Sequence, residues 1–473
     1  MAGRFRLDAV VSTIVTVHPH EIPALLHSSC CFFFILSAYF VVLPLRDEGA
    51  ISLGLSKLPV LFVGSLFLTL IAAPVSTLIF SLPNLSKSKA LVIIHRFFSL
   101  SLVLCFLLWR ASPTESNSKD ASDLTKDPKV GVDGANPASG WDSHGWFYIS
   151  VRVGFFLWVA LLNLVAISST WARIIDVMDS ARLFGFVGAG ATLGQLFGSV
   201  FAAATAWMGP YLLLFAALLM EFAAQSSKGI TKDTSPSSEE LSPLRRTDSE
   251  RSQEASSPKV TTPKSPISTT RPQLWAILDG MRLILASPYL LLVSLFLWLG
   301  AVISSFFYFQ KVNVIATTIK SSIGRRRLFA QINSFVAVFI LIGQLTLTGR
   351  ILTIAGVTVA ISASPLVALG NLVSIAIWPT WVAVAVSETL RKVCIDVIVQ
   401  RLGDAAAAGL FEVLTIALGG QTSTASLYAL PVCLIWIVTA YFLGRRQEQL
   451  AKLQELWERN ANPSEIKKDH KAE

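Results

Sequence analysis

The sequence predicts an all-α membrane protein with about 12 transmembrane helices, arranged as two six-helix bundles. Three observations support this prediction. Of the 473 residues, 53% are hydrophobic and 15% are charged, with a mean hydropathy of +0.60, whereas soluble domains carry about 25% charged residues. Apolar runs long enough to cross a bilayer, which takes about 20 residues, recur along the chain. One long polar stretch, 226–273, divides these runs into two groups of equal number.

The apolar runs define the predicted spans. In the first half they are Leu25 to Leu45, Leu58 to Phe80, Ala90 to Trp109, Trp146 to Thr170, Leu183 to Ser199 and Pro210 to Gln225. In the second half they are Pro288 to Phe309, Leu328 to Leu347, Ile351 to Leu369, Gly370 to Ser387, Ala405 to Gly420 and Ala425 to Leu443, of which the fourth and fifth are weak.

These spans predict five parts of the chain. They are a cytoplasmic segment 1–24, a first bundle 25–225, a linker 226–273, a second bundle 274–444 and a charged cytoplasmic tail 445–473. The linker is rich in Ser, Thr, Pro, Lys and Glu, and it has almost no aromatic residues. Such a composition buries too little apolar surface to fold, so we expect a disordered cytoplasmic linker.

The fifth span is built on glycine. Gly190, Gly194 and Gly198 recur every four residues and form one stripe on a helix. Each interior glycine costs about 1 kcal/mol relative to alanine in water, but in lipid a smooth stripe lets a neighbouring helix approach closely. The spacing fits neither a dinucleotide fingerprint nor a phosphate loop, since no Lys-Ser/Thr pair follows. The stripe therefore predicts helix packing in a membrane.

Charges beside the spans predict that both termini are cytoplasmic. The basic residues on the predicted inner side are Lys87, Lys89, Arg173, Arg182, Arg391, Lys392, Arg401, Arg445 and Arg446, while the acidic segment 111–145 falls outside. Arg173, Asp176, Asp179 and Arg182 form a mixed charge knot on the inner face. One basic group, Lys311, Lys320, Arg325, Arg326 and Arg327, falls on the outer side. Either its spans follow an orientation fixed by earlier ones, or this group attracts anions; both interpretations stay open.

Charged and polar residues in or beside the spans are the candidates for a substrate pathway, because a charge at the centre of a bilayer costs about 2.5 to 3.5 kcal/mol on insertion scales. The candidates are Arg46, Asp47, Glu48, Arg96, Arg152, Asn163, Gln344, Glu388, Arg391 and Lys392. For Arg46, Glu221 and Arg391 a long side chain that reaches the membrane surface is an equally good interpretation. An anionic substrate would pair with arginines in a cavity, and the amides of Asn163 and Gln344 would donate hydrogen bonds.

Enzyme and metal motifs do not occur in the sequence. It contains no HExxH, no GxSxG and no CxxC pair, and its five cysteines lie mostly in apolar runs. We therefore expect neither catalysis, nor a metal, nor a cofactor. The net charge of +9 is scattered over loops and tails, so the expected partners are the lipid bilayer and a small molecule rather than a nucleic acid polymer.

Two features lead to a family resemblance. Ala38-Tyr39-Phe40 in the first span has a counterpart in Phe307-Tyr308-Phe309 of the seventh, which suggests a duplicated bundle. The stretches Tyr39 to Glu48, Trp171 to Asp179 and Arg182 to Gly190 resemble a plant and bacterial branch of the major facilitator superfamily, similar to the ATP/ADP translocases of plastids and intracellular bacteria. The resemblance covers about 25 to 445. It implies secondary transport by alternating access, with an organic anion as substrate and nucleotide exchange as its specific form.

The chain departs from that branch in one region. Relatives of this kind usually carry an Arg-Pro-x-Arg-Glu segment after the equivalent of Lys392, but here Val393 leads directly into Cys394. A few residues are also missing before Arg182. We therefore expect a shortened tenth span. The alternative hypothesis is a multi-pass protein that keeps the fold and acts as an assembly partner or sensor without transporting anything.

Overall fold

The structure, a computed structural model, describes residues 21–81, 86–112, 145–178, 183–230, 285–346, 348–394 and 422–461, together with Arg282. Within these ranges the regular elements are helices. In the first half they are α1 (Ile22–Ser52), α2 (Leu58–Ser81), α3 (Lys87–Ala111), α4 (Trp146–Val177), α5 (Phe184–Ala204) and α6 (Leu212–Ser227). In the second half they are α7 (Pro288–Thr318), α8 (Ser322–Thr346), α9 (Thr348–Ile377), α10 (Trp381–Cys394) and α11 (Thr422–Ala461). Two short 3₁₀ turns, Leu55–Lys57 and Ala206–Tyr211, precede α2 and α6.

The helices have the length and surface of membrane spans. Seven stretches in the described part of the chain, in α1, α3 to α7 and α11, are long and apolar enough to cross a bilayer. Large apolar side chains also cover the outside of the bundle, among them Phe67, Leu100, Leu104, Phe339 and Phe442. Soluble monomers rarely expose apolar patches of this extent. The predicted class, an all-α protein that spans the membrane several times, is confirmed.

Two ends of the bundle can be distinguished. One cavity is lined by residues from the ends of α1 and α3, the beginnings of α4 and α8, and the turn between α5 and α6. We call this the distal end. At the opposite, proximal end, Gly229 beyond α6 lies against the His27 ring near the start of α1. There Lys87, at the start of α3, also forms an ion pair of 3.0 Å with Asp176, near the end of α4.

Each half has its own apolar core, and the halves share packing at the distal end. The first core is formed mainly by α1, α3, α4 and α6, with Phe32, Phe98 and Leu213 fully buried. The second core is formed by α7 to α11 around Phe306 and Trp436. This second core also takes in apolar residues from the first half, namely Ala50, Leu53, Leu58, Leu61, Phe62 and Phe156. These residues come from the distal ends of α1, α2 and α4, so the two halves are joined there.

Several predicted boundaries are wrong. α1 does not stop at Leu45 but continues to Ser52, and α7 continues past Phe309 to Thr318. In both cases the charged residues beyond the predicted end are buried against partners in the bundle. They therefore do not mark the membrane surface, and the helix continues past them. The predicted start of a span at Gly370 falls inside α9, and the chain breaks at Trp378 to Thr380 instead. A residue before proline disfavours the helical conformation, which explains a break at Trp378.

The remaining predictions concern the tenth span, the last span with the tail, and the polar segments. The described part of α10 has 14 residues, but the residues after Cys394 lie outside the described part of the chain, so the shortened tenth span stays a prediction. The last span and the beginning of the tail form one continuous helix, α11. The predicted span Ala405 to Gly420, the linker from residue 231 onward and most of the segments 1–24 and 111–145 lie outside the described residues. The five-part division of the chain stays a prediction.

Candidate functional site

The glycine stripe of α5 lies against α1. A Cβ atom added to Gly190, Gly194 or Gly198 would come within 3.0 Å of atoms of Ser29, Phe33 or Ser37 respectively, with no room for it. The hydroxyl of Ser37 also donates a hydrogen bond of 3.1 Å to the carbonyl of Gly194. The two helices touch backbone to backbone because both present a repeat of four residues at the contact. This contact holds α1 in place and thereby positions the charged residues near its distal end.

Three consecutive charged residues of α1 are buried. Arg46, Asp47 and Glu48 are 8%, 1% and 6% exposed. The Nη2 and Nε atoms of Arg46 donate to Oδ1 of Asp47 at 2.6 and 2.9 Å, and the guanidinium lies 4.9 Å from the ring centroid of Phe156 on α4. A charge-assisted pair covered by an aromatic ring is protected from water, which strengthens it.

Tyr308 on α7 connects this pair to the second half. Its hydroxyl donates to Oδ1 of Asp47 at 2.9 Å, and its ring lies 5.5 Å from Nζ of Lys311. Lys311 forms a buried ion pair of 2.9 Å with the carboxylate of Glu388 on α10. One turn further along α10, Arg391 donates to the hydroxyl of Ser304 at 2.6 Å.

A second link between the halves lies closer to the distal end. Nη2 of Arg325, at the start of α8, is 3.4 Å from Oε1 of Glu48. Nη1 of the same side chain donates to the carbonyls of Ile319 and Lys320, at 3.3 and 2.8 Å. These carbonyls follow the C-terminus of α7, where a positive charge is favourable. Arg325 therefore caps one helix and holds a carboxylate from the other half.

The charged residues among these, together with Arg152 and Arg326 at the distal cavity, form what we call the interface cluster. Its members are Arg46, Asp47, Glu48, Arg152, Lys311, Arg325, Arg326, Glu388 and Arg391. Six are basic and three are acidic. In the described part of the chain the cluster therefore carries an excess of positive charge at the junction of the two halves.

Arg152 and Arg326 line the distal cavity, which has a volume of about 440 Å³. The Arg152 guanidinium stacks on the Trp109 indole, 3.2 Å from its ring centroid, and lies 4.8 Å from the Tyr148 ring. Arg326 lies beside Gly209 in the turn between α5 and α6. Gly209 has a φ of +57°, a conformation that favours glycine. The buried Nε atoms of Arg152 and Arg326 have no hydrogen-bond partner among the described residues.

Other predicted site residues lie elsewhere. Arg96 is on the outside of the first half, where it pairs with Glu221 on α6 at 3.1 Å. Arg173 and Asp176 form an ion pair of 3.0 Å at the proximal end, while Asp179 and Arg182 lie outside the described residues. Asn163 is half-buried in α4; Gln344 and Lys392 belong to α8 and α10. Among the described residues no group of three or more His, Cys, Asp or Glu side chains is placed to hold a metal ion.

Sequence reasoning missed several residues of this region. It treated Tyr308 only as part of a repeat and Trp109 only as the end of a span. The basic group between the seventh and eighth spans was interpreted either as an exception to the orientation rule or as a group that attracts anions, without a position in the fold. In the structure three of its members have specific positions: Lys311 is buried in α7, Arg325 binds Glu48, and Arg326 lines the cavity.

When the chain is compared with known proteins, similarity is found to several solved structures. Neither a protein-family model nor a curated protein matches the chain. A POT family transporter in complex with a thioalcohol-conjugated peptide is 11% identical, with a TM-score of 0.47 over 90% of this chain and 97% of that one. The human organic anion transporter MFSD10 is 13% identical, with a TM-score of 0.42 over 89% and 100%. A bacterial homologue of the human lysosomal transporter Spinster is 14% identical, with a TM-score of 0.41 over 94% and 87%.

At these identities and TM-scores the likeness carries no conclusion about substrate or mechanism. The helices and the buried charges themselves define the class of protein. The chain is a multi-pass α-helical membrane protein whose two halves meet at a buried cluster of basic and acidic side chains.

Proposed function

We propose that the chain is a secondary transporter of the major facilitator type, which moves an organic anion by alternating access between its two halves. The observation that carries this proposal is the excess of buried and half-buried positive charge at the junction of the halves. Burying a charge inside a membrane protein costs free energy, and buried charges therefore usually mark substrate or ion pathways. The three acidic residues of the cluster pair with Arg46, Lys311 and Arg325. Arg152 and Arg326 line the distal cavity, where an anionic substrate can contact them, and Arg391 adds a further buried positive charge.

The contacts between the halves also suit a rocking motion. The bonds Asp47 to Tyr308 and Glu48 to Arg325 are polar, so water or substrate can replace them when the distal end opens. Both bonds lie towards the distal end. The rings of Phe62 and Tyr308 also make contact there, with 5.2 Å between their centroids. A transporter that alternates must break such contacts at one end while the other end closes. This arrangement supports a state closed towards the distal side.

We propose in addition that the proximal end faces the cytoplasm and that the substrate is a nucleotide exchanged in the manner of ATP and ADP. Lys87, Lys89 and Arg173 lie at the proximal end, and basic residues are enriched on the cytoplasmic side. The nucleotide proposal rests on the resemblance of the sequence motifs and on the basic excess. Planar guanidinium groups bind phosphate oxygens in pairs, which suits a phosphate-bearing substrate.

Flux into sealed vesicles tests these proposals. Purified protein is reconstituted into vesicles loaded with ADP, and uptake of labelled ATP is measured against protein-free vesicles. In parallel samples, uptake of labelled succinate or of labelled inorganic phosphate is measured in the same way. We expect uptake that depends on the protein, that Arg391→Gln reduces by about tenfold or more, and that Arg96→Gln leaves unchanged. Arg96 is a suitable control because it is exposed and lies outside the interface cluster.

The outcomes separate the hypotheses. If the wild-type chain takes up another anion but no nucleotide under any exchange gradient, the nucleotide proposal fails and the transporter proposal stands. If it takes up no anion at all, the non-transporting alternative replaces both. Equal uptake by Arg391→Gln and wild type would contradict the role of the cluster.

A further inference from the structure

We infer that the distal cavity is a binding site for a group with two negative charges, either a small free dianion or the terminal phosphate of a nucleotide, and that the Glu48 carboxylate competes with it. The inference deepens the proposed function and rests on it for the role of the site in transport. The existence of the site rests only on the geometry of the cavity. The charged and serine side chains that line it are Glu48, Arg110, Ser112, Arg152, Ser322 and Arg326.

The first argument is the charge of the cavity. Three arginines and one glutamate line it, so the lining side chains carry a net charge of +2. An arginine cannot lose its proton under ordinary conditions, so the cavity keeps an excess of positive charge. The excess would be neutralised by an anion of charge −2.

The second argument is the state of Arg152. The side chain is 9% exposed, and its buried Nε has no hydrogen-bond partner in the part of the chain that the structure describes. A buried donor without a partner costs free energy. Stacking on Trp109 fixes the guanidinium plane in advance, so little entropy is lost when a ligand binds. A charged guanidinium that is fixed in place and has an unpaired N–H group is suited to an anionic ligand that enters the cavity.

The third argument is the origin of the lining residues. Arg110 and Arg152 come from the first half, and Arg326 comes from the second half. Guanidinium groups on both sides of the cavity repel each other when it is empty. Glu48 reduces that repulsion by its bond to Arg325, the neighbour of Arg326. A bound dianion would supply the same negative charge more completely. We therefore expect the ligand and the Glu48 carboxylate to compete for the arginines of α8.

Binding to the purified full-length protein in detergent tests the inference. The probes are inorganic phosphate and succinate, titrated at constant ionic strength with chloride as the balancing ion, and the heat of binding is recorded. Saturable binding of both probes indicates a site for dianions in general; binding of phosphate alone indicates a phosphate site. Either result supports the inference, and saturation by neither probe overturns it.

Variants locate the site. We expect Arg326→Gln and Arg152→Gln each to raise the Kd by about tenfold or more. The matched control is Arg327→Gln, because Arg327 is the next residue of α8 and is exposed; its Kd should equal that of the wild type. Glu48→Gln should lower the Kd, since it removes the competing carboxylate. Equal Kd values for Arg326→Gln and Arg327→Gln, or weaker binding by Glu48→Gln, would refute the site.

This experiment and the flux assay can fail separately. Saturable binding that the arginine variants weaken, without flux of any anion, would refute the transporter and keep the site. Flux in vesicles with no binding effect of Arg326→Gln would refute the site and keep the transporter. If Arg152→Gln does not fold, which size-exclusion chromatography would reveal, the comparison of Arg326→Gln with Arg327→Gln still decides the question.

Discussion

The hydroxyl of Tyr308 on α7 donates a hydrogen bond of 2.9 Å to Oδ1 of Asp47 on α1. The same carboxylate oxygen accepts two donors from Arg46. Asp47 is therefore the point where the buried charge of the first half is connected to the second half. Because the Tyr308 ring also faces Lys311, one side chain touches the ion pairs of both halves.

Removing the Tyr308 hydroxyl should loosen the closed distal end. In Tyr308→Phe the Arg46–Asp47 pair stays intact, but the bond between the halves is lost. We expect a broader and longer distance distribution between spin labels at Lys57 and Lys320, two exposed positions at the distal end of opposite halves. Double electron–electron resonance spectroscopy measures this distance distribution, in a variant of the protein from which the native cysteines have been removed.

The control is Tyr289→Phe. The Tyr289 hydroxyl bonds Gln447 within the second half, so its loss should not change the distance between the labels. Identical distributions for the wild type and Tyr308→Phe would show that this bond does not hold the distal end closed.

The glycine stripe should tolerate no side chain. A Cβ on Gly194 would meet the Phe33 backbone at under 3.0 Å, and overpacking of this kind costs about 1 to 3 kcal/mol. We expect Gly194→Ala to lower the thermal midpoint of the protein in detergent. In Gly188→Ala, where a Cβ would meet no atom within 4 Å, the midpoint should stay the same or rise, because alanine is the better helix former. A midpoint for Gly194→Ala as high as for Gly188→Ala would contradict the packing.

The Lys311–Glu388 pair should be far more sensitive than the exposed Arg96–Glu221 pair. Glu388→Gln leaves a buried ammonium without its carboxylate, and breaking a buried pair costs about 3 to 5 kcal/mol. Glu221→Gln should cost at most about 1 kcal/mol, since Arg96 is 51% exposed. Thermal unfolding followed by near-ultraviolet circular dichroism compares the two.

A double variant separates charge from packing. Replacing both partners, Lys311→Met with Glu388→Leu, should recover most of the stability that Glu388→Gln loses, because neither charge is then buried alone. A double variant as unstable as Glu388→Gln would show that the pair contributes shape rather than charge compensation.

Arg152→Lys should weaken nucleotide uptake while the protein stays folded. Lysine keeps the positive charge, but it has no planar group to stack on Trp109 or to bind two oxygens at once. We expect the initial uptake rate in vesicles to fall by about tenfold while the elution volume and thermal midpoint remain close to the wild type. An unchanged rate would show that charge alone is sufficient at this position.

Proteases should reach the two long polar segments from opposite sides of the membrane. Segment 111–145 connects the end of α3 to the start of α4 at the distal end. Segment 226–273 follows α6, and its described residues up to Ile230 lie at the proximal end. We expect each segment to be cut from one side only of sealed, oriented vesicles. Mass spectrometry of the fragments identifies the sites, and cleavage of both segments from the same side would overturn the topology.

Local sequence patterns were sufficient for the class and for most of the spans. Hydrophobic runs and composition act residue by residue, so they identify α1, α3 and α4 without knowledge of their neighbours. The glycine period at Gly190, Gly194 and Gly198 is equally local, because helical spacing alone places the three on one face. Helix ends were predicted less well, since Arg46 to Glu48 read as a stop signal when their partners are unknown.

Only the tertiary structure decided which charges meet. Tyr308 and Asp47 are 261 residues apart and Arg325 and Glu48 are 277 apart, and no local pattern connects residues at such a separation. Arg96 and Arg152 look alike in sequence, as single arginines in apolar runs. Packing turns Arg96 outward to Glu221 and Arg152 inward onto Trp109. The sequence alone determined that charges lie within the membrane spans, whereas the fold determined which of them share a cavity, because burial and pairing depend on the neighbouring helices.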